Sequence, residues 1–427
     1  MSEPAETRTM RVACGQVGAR DLAAAAGALD DALAMCDAAG AVGTELFVLP
    51  EGTYPAYVMG SADAARAALA AGPDPEVAFA AKAREYSMAI VVGLVVDSPA
   101  GLVNAAVHLD ATGEVRTRTA KRFLWHFDRS WFAPGQEGAV VDGIGALVCA
   151  DGRLPEISRE LVDRGARVLV NATAWVTSFA PPVGLNPQAE FLWRVRALES
   201  GVPAVAATKV GTEAGVCTYS GRSQIVAADG SLIAIASATE PEVLVGDIEI
   251  PATARPSRSA VELPAVPLAP PLRPGHAYCV VVSDPSLVGS LAGHGAQLLV
   301  GPDGIIDVVD VAAETIRGDS MLDPYVARAA AMRGCEFVVW IASDVSTSFV
   351  TEVALTRAME NRVFVAVWQP SSAGGPFIAG PSGRLLASSP HPDRPYAVGA
   401  QCLLAEAATK QMAPNTDAWS GVVEIRR

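Results

Sequence analysis

Three side chains in distinctive local contexts could together attack a carbonyl carbon. Cys149 closes the apolar run ALVC within ALVCADGRLPEISREL, and a helix-like segment starts a few residues later. That places a thiol at a strand-to-helix elbow, near helix N–H groups that favour a thiolate. Glu51 follows a buried-looking strand in FVLPEGTYP, and Lys121 opens KRFLWHFDRSWFAPG. A thiol, a carboxylate and a fixed cation are the parts of covalent acyl chemistry. The thiol attacks, the carboxylate moves protons, and the cation stabilises the developing oxyanion. Taken singly, each has a plainer reading: a cysteine after a strand is ordinarily core, a lone lysine is a solvated charge, and a glutamate in a turn is a cap.

The elements that must position these residues read as alternating strands and helices. MRVACGQV, ELFVLP, AIVVGLVV, ALVC, RVLVNA and VPAVAAT are strand-like. Residues 21–40 and 76–87, ISRELVDRG and FLWRVRALES are helix-like, and LVNAAVHLD with EVRTRTA reads as a hairpin. Apolar strands alternating with helices predict a layered α/β domain.

The context around the three residues resembles the nitrilase superfamily of carbon–nitrogen hydrolases. The carrying motif is Cys149, Asp151, Arg153, Pro155 and Glu156, with the close Trp131-Phe132-Ala133-Pro134-Gly135 after the lysine. Asn104, the run RALES from Arg196 and SGRSQIVAADGSLIA are further similar pieces. The resemblance implies an αββα sandwich and a Glu51–Lys121–Cys149 triad, with the Ala150 N–H helping Lys121 at the oxyanion and no metal or organic cofactor. It implies a fourth carboxylate at Asp128, where the family commonly has Glu. The shorter side chain would reach its partner through a water or sit in a tighter pocket. Tyr54, Trp125, Trp131 and Trp175 are candidate pocket residues beside His126, Phe127 and Phe132, and all could equally be packing. The expected activity is hydrolysis of a linear amide or N-carbamoyl compound. Alternatives are nitrile hydrolysis or acyl transfer by the same triad, and a non-catalytic binding or regulatory protein that keeps the fold.

At 427 residues the chain is too long for one ordinary core, and two domains are expected. The second half reads as a shortened repeat in the same order, with two unrelated α/β domains as the alternative. GAQLLVGPDG echoes GTELFVLPEG, RAAAMRGCEFVVWIA echoes RELVDRGARVLVNA, TRAMENRVFVAV echoes VRALESGVPAVA, and AGPSGRLLAS echoes AADGSLIAIA. In the repeat Asp303 replaces Glu51, Gly318 falls where Cys149 stands, and the lysine segment is missing. The expected organisation is a catalytic domain at 1–250, a Pro-rich linker at 251–275 and a shorter degenerate nitrilase-like domain at 276–427. Family members pair such units, so an intramolecular pseudo-dimer or a homo-oligomer is implied.

A net charge of −14 argues against nucleic acid and anionic membranes as partners. No apolar run has the length of a membrane span, and MSEPAETRTM lacks an apolar signal core, so a cytoplasmic location is expected. The 7 cysteines form no CxxC pair, and neither a disulfide framework nor a zinc site is expected.

Overall fold

The computed structural model describes residues 7–177, 186–291, 295–388, 395–413 and 415–426, without the side chains of Phe127 and of 424–426. The chain divides into two compact units, the second beginning at Ser257.

Among the described residues the first unit holds fourteen strands: β1 Arg8–Gln16, β2 Leu46–Val48, β3 Ala89–Ser98, β4 Gly101–Leu109, β5 Val115–Ala120, β6 Val140–Val141, β7 Ile144–Val148, β8 Val168–Ala172, β9 Ala204–Ala207, β10 Val210–Glu213, β11 Cys217–Ser220, β12 Gln224–Val226, β13 Leu232–Ile235 and β14 Glu242–Ile250. Two six-stranded sheets result, ordered β14-β1-β2-β3-β4-β5 and β13-β12-β9-β8-β7-β6, beside the separate hairpin β10-β11. Strands β1, β2 and β3 run parallel, as do β7, β8 and β9, and antiparallel strands flank each set.

The alternation of side chains along the strands makes the layers. Val12, Cys14, Leu46, Val48 and Val91 of one sheet share a core with Ala146, Val148, Val168, Val170 and Val205 of the other. The opposite face of the first sheet (Ala13, Phe47, Ile90, Val92) packs against Leu29, Ala32 and Cys36 of helix α1 (Ala25–Ala41) and Phe79 and Ala83 of α3 (Pro75–Tyr86). Between them in sequence lies α2 (Ala62–Ala71). On the second sheet, α4 (Pro155–Asp163) buries Ile157, Leu161 and Val162, and α5 (Trp193–Ser200) buries Trp193, Val195 and Ala197. The result is the αββα sandwich. Each fully buried Val, Leu or Phe contributes about 1.5–3 kcal/mol.

In the second unit the strands are β15 His276–Val282, β16 Leu298–Gly301, β17 Gly304–Val308, β18 Ala313–Arg317, β19 Phe337–Ile341, β20 Phe364–Trp368, β21 Phe377–Gly380, β22 Arg384–Ser388 and β23 Ala397–Leu403, followed by the small pair β24 Gln411–Ala413 and β25 Thr416–Asp417. Its two larger sheets are ordered β17-β16-β15-β23 and β18-β19-β20-β21-β22. Cys279, Val281, Leu298 and Val300 meet Phe337, Val339, Phe364 and Ile378 between them. Helices α7 (Pro324–Met332) and α8 (Val350–Asn361) follow β18 and β19, and the short α6 (Val288–Leu291) follows β15. The 251–275 stretch contains no helix or strand of its own. It is not a bare spacer, because the Leu268 N–H donates to the Met332 carbonyl (2.7 Å) and Arg273 pairs with Glu336 (2.6 Å) within the second unit. Among the described residues, no helix is long and apolar enough to cross a membrane.

Candidate active site

Strand β7 delivers Cys149 to the top of the second sheet, and the chain turns there with the residue at φ +46°. A non-glycine residue in that region is strained, and the geometry resembles that of an exposed nucleophile turn. A 3₁₀ turn, Cys149–Arg153, follows, and Pro155 takes the first position of α4, where its missing N–H costs nothing. The turn is held from two sides. Arg196 donates to the carbonyls of Gly152 (2.8 Å) and Arg153 (3.2 Å) and pairs with Glu199 (2.6 Å). The Asp151 carboxylate accepts the backbone N–H groups of Val148 (3.2 Å), Arg122 (3.0 Å) and Phe123 (2.8 Å). Asp151 thereby fastens the lysine segment to the elbow. Burial raises its pKa to about 6, and those backbone donors resist the rise.

Lys121 leaves the end of β5 with its backbone pinned on both sides. Its N–H donates to Asn104 (2.7 Å), and its carbonyl accepts from Gly135 (2.8 Å). Only glycine fits at Gly135, because a Cβ there would lie 2.3 Å from the Ala120 carbonyl oxygen. The Pro-Gly close of the motif thus lets the chain return against the lysine strand.

Glu51 sits in the turn after β2. Its N–H donates to the Thr173 carbonyl (3.2 Å), and Thr53 Oγ1 closes the turn on Pro50 (2.7 Å). Glu51 Oε1 accepts from Lys121 Nζ (2.6 Å) and Asn104 Nδ2 (2.5 Å), while Oε2 is buried with no hydrogen-bond partner among the described groups. Lys121 Nζ also pairs with Asp128 Oδ2 (2.7 Å). Asp128 reaches the lysine directly, so neither a water bridge nor a longer side chain is needed. The 3₁₀ turn His126–Ser130 carries it inward, Trp125 N–H holds Oδ2 (2.8 Å), and Tyr57 Oη donates to Oδ1 (2.9 Å).

Glu51, Lys121 and Asp128 have no exposed surface, and Cys149 retains 7%. Two carboxyl groups thus converge on one lysine in the interior. Burial and the Asp128 charge raise the Glu51 pKa against the pull of Lys121. Burial opposes the Lys121 ammonium, yet Asp128, Glu51 and Cys149 carry its pKa well above normal. Burial, then the Glu51 charge, pushes the Cys149 thiol up to about 12, with Lys121 lowering it. Desolvation and the neighbouring carboxylate thus oppose the thiolate that the elbow's N–H groups favour, which leaves a thiol proton for a base to take.

The carbon-nitrogen hydrolase family profile matches residues 11–255. The chain belongs to that family. A nitrilase from Pyrococcus abyssi is 30% identical over 173 residues, covering 39% of this chain and 62% of the relative. The omega-amidase YafV of Escherichia coli is 28% identical over 205 residues, covering 47% of this chain and 75% of the relative. The chain spans 50–62% of the length of the first curated relatives it matches. A crystal structure of an amidase from Nesterenkonia sp. aligns at 27% identity with a TM-score of 0.49, covering 57% of this chain and 91% of that one.

Around this candidate site of a carbon-nitrogen hydrolase family member the remaining candidates divide. Ala150 is buried in the elbow turn beside Cys149. The half-buried Trp125 ring lies 4.5 Å from the Arg153 guanidinium. Trp131 joins Leu124, Phe132 and Met59 in a small apolar cluster. Trp175 is wholly buried, held by Thr208 Oγ1 on its N–H (3.0 Å) and by the Ser220 N–H on its carbonyl (2.9 Å). The Tyr54 ring belongs to the helix-facing core with Leu49, Phe79 and Leu94. Tyr57, three residues on, is the tyrosine at the cluster, with its ring 5.8 Å from Lys121 Nζ. The side chain of Phe127 lies outside the described ones. Sequence reading also missed Lys209 and Glu213, an i,i+4 pair that passes for a solvated one until its burial is seen.

Proposed function

We propose that this chain is a thiol-dependent amidohydrolase, cleaving a non-peptide C–N bond of a linear amide or N-carbamoyl compound. The observation that carries the reading is Glu51: one carboxylate oxygen is held by Lys121 and Asn104, the other is held by neither, and the carboxylate's charge acts on the Cys149 thiol. Glu51 takes the thiol proton as sulfur bonds to the carbonyl carbon. Lys121 and the Ala150 N–H meet the oxyanion. The C–N bond then breaks, and Glu51 returns the proton to the departing nitrogen, leaving a Cys149 thioester. A water, deprotonated by Glu51, adds to the thioester carbonyl. Collapse releases the acid and restores the thiol. Of Glu51, Lys121, Asp128 and Cys149, only Cys149 keeps any exposure, which favours substrate approach from the sulfur side.

The test is intact mass and ammonia release for wild type and Cys149→Ala on short amides, N-carbamoyl amino acids and nitriles. A wild-type-only acyl adduct supports the mechanism, and its mass identifies the acyl group. Turnover retained by Cys149→Ala overturns it. Turnover of nitriles alone replaces it with the nitrilase reading. Stoichiometric alkylation of Cys149 without turnover of any compound replaces it with a binding protein.

We infer that the second unit is a shortened, non-catalytic copy of the first. The support is topological: β23-β15-β16 repeats β14-β1-β2, and β18 to β22 repeat β7, β8, β9, β12 and β13 with the same relative directions. Strand β17 alone stands between β16 and β18, where the first unit has everything from Leu49 to Gly143, Glu51 and Lys121 included, between β2 and β7. Mass mapping after substrate incubation tests the assignment in Gly318→Cys: acylation stays on Cys149, and acyl transfer to position 318 would overturn it.

A further inference from the structure

A second buried ion pair grips the loop that connects Glu51 to Tyr57. Lys209 follows β9 and Glu213 ends β10, and they are 3% and 0% exposed. Lys209 Nζ donates to the Gly52 carbonyl (2.8 Å) and to Glu213 Oε2 (2.9 Å). Glu213 Oε1 accepts the N–H groups of Tyr57 (2.7 Å) and Val58 (2.6 Å), and Oε2 also accepts from Tyr219 Oη (2.8 Å). The pair therefore holds both ends of the loop: the residue after the candidate base, and the tyrosine whose hydroxyl holds Asp128 on Lys121.

Surface pairs of this spacing contribute little, but this one has lost its water and spends its polar groups on one short loop. Every acceptor site used on Glu213 is occupied by a group that fixes Tyr57 or braces Glu213 itself. The geometry points to Glu213, braced by Lys209 and Tyr219, as a positioning residue that acts through Tyr57 and Asp128 to hold Lys121 and Glu51 in register with Cys149. This inference rests on the proposed thiol mechanism and assigns Glu213 no contact with substrate.

The test reads the thiol and not turnover, so it is informative even where the substrate is unidentified. Chloroacetamide alkylates the Cys149 sulfur, with the C–Cl bond breaking, chloride leaving and the thiol proton passing to Glu51. Its rate at Cys149 is followed by peptide mass mapping across pH for wild type, Glu213→Gln, Tyr57→Phe and the double variant, with circular dichroism as the folding control. Glu213→Gln is expected to slow alkylation by at least about tenfold and to move its midpoint to higher pH, because a displaced Lys121 no longer helps the thiolate. Tyr57→Phe is expected to shift it the same way, and the double variant to be no worse than Glu213→Gln, since both act along one path. A Glu213→Gln profile that overlays wild type overturns the proposal, as do two single effects that multiply fully in the double variant. Should Glu213→Gln not fold, Tyr219→Phe takes its place in the cycle and is judged by the same two outcomes. Failure of the amidohydrolase reading looks different: turnover would survive Cys149→Ala whatever the alkylation profiles show.

Discussion

The two units contain the same elbow with different residues in it. In the first, β7 runs into Cys149 at φ +46°, the turn Cys149–Arg153 and a helix opened by Pro155. In the second, β18 runs into Gly318 at φ +53°, the turn Gly318–Leu322 and a helix opened by Pro324. The clamp is repeated as well. Arg357 donates to the carbonyls of Met321 (3.0 Å) and Leu322 (2.9 Å) and pairs with Glu360 (2.8 Å), as Arg196 does with Gly152, Arg153 and Glu199. What differs is the chemistry and what fastens it. Ser320 stands where Asp151 ties the elbow to the lysine segment, and the second unit has no such segment. Turn, clamp and helix start are therefore demands of the fold, and the cysteine, the aspartate and the lysine are demands of the site.

The widest gap between the units is the lysine. Lys121→Met leaves Glu51 and Asp128 facing each other in the interior without their cation. Turnover should fall by at least roughly 10³-fold, since the cation is also the proposed oxyanion partner. The first unit should lose about 3–5 kcal/mol, the cost of stranding buried charge. Hydrogen exchange read separately over the two units checks it, and equal loosening of α7 and α8 would break the comparison.

The clamps should behave alike in stability and differ in chemistry. Arg196→Ala and Arg357→Ala each remove a buried guanidinium from a glutamate and two carbonyls, and each should cost its own unit about 3–5 kcal/mol. Only Arg196→Ala should slow Cys149 alkylation. A slowed reaction in Arg357→Ala would mean that the second elbow serves the first site.

Acidity offers a finer test. The proposed base must be ionised to accept the thiol proton, so activity should fall as pH drops through the raised pKa of Glu51. The Asp128 charge is one cause of that rise, after burial and against Lys121. Asp128→Asn should therefore move the acid limb of kcat/KM to lower pH while reducing the plateau. An acid limb that stays in place would exclude Glu51 as the titrating group.

The chemistry of this site was more legible than its supports. Cys149, Lys121 and Glu51 stood out because each follows a strand and lies in a motif, and the β–α alternation predicted nearly every element that carries them. Tyr57 was hidden because the loop from Glu51 to Val58 has no periodicity, so counting residues could not choose it over Tyr54. Glu213 and Lys209 were hidden because polar residues near a strand end read as surface until a fold closes over them. The strand Glu242–Ile250 and helix Ala62–Ala71 lie outside the elements read from the sequence, the first next to a Pro-rich run and the second a short alanine-rich stretch whose one fully buried residue is Ala65. The upward push on the Cys149 thiol comes first from burial, which no local pattern reports.

The smallest effect is the one that most directly compares the two elbows. Both residues sit in the left-handed region, which costs a non-glycine residue roughly 1–2 kcal/mol. The second unit avoids that cost with Gly318, and the first carries it at Cys149. A Cβ at Gly318 would meet nothing nearer than the Asp344 carbonyl oxygen at 3.7 Å, so the only penalty of Gly318→Ala is conformational. That variant should destabilise the second unit by about 1–2 kcal/mol and leave turnover unchanged. In the first unit, Cys149→Gly and Cys149→Ala should both be inactive, and the glycine variant should be the more stable by about 1 kcal/mol. Denaturant midpoints with hydrogen exchange over α4 and α7 measure both differences. If Cys149→Gly proves no more stable than Cys149→Ala, the elbow holds no strain at the cysteine. Gly318 would then mark only the loss of a nucleophile, with no relief of a constraint that the nucleophile imposes.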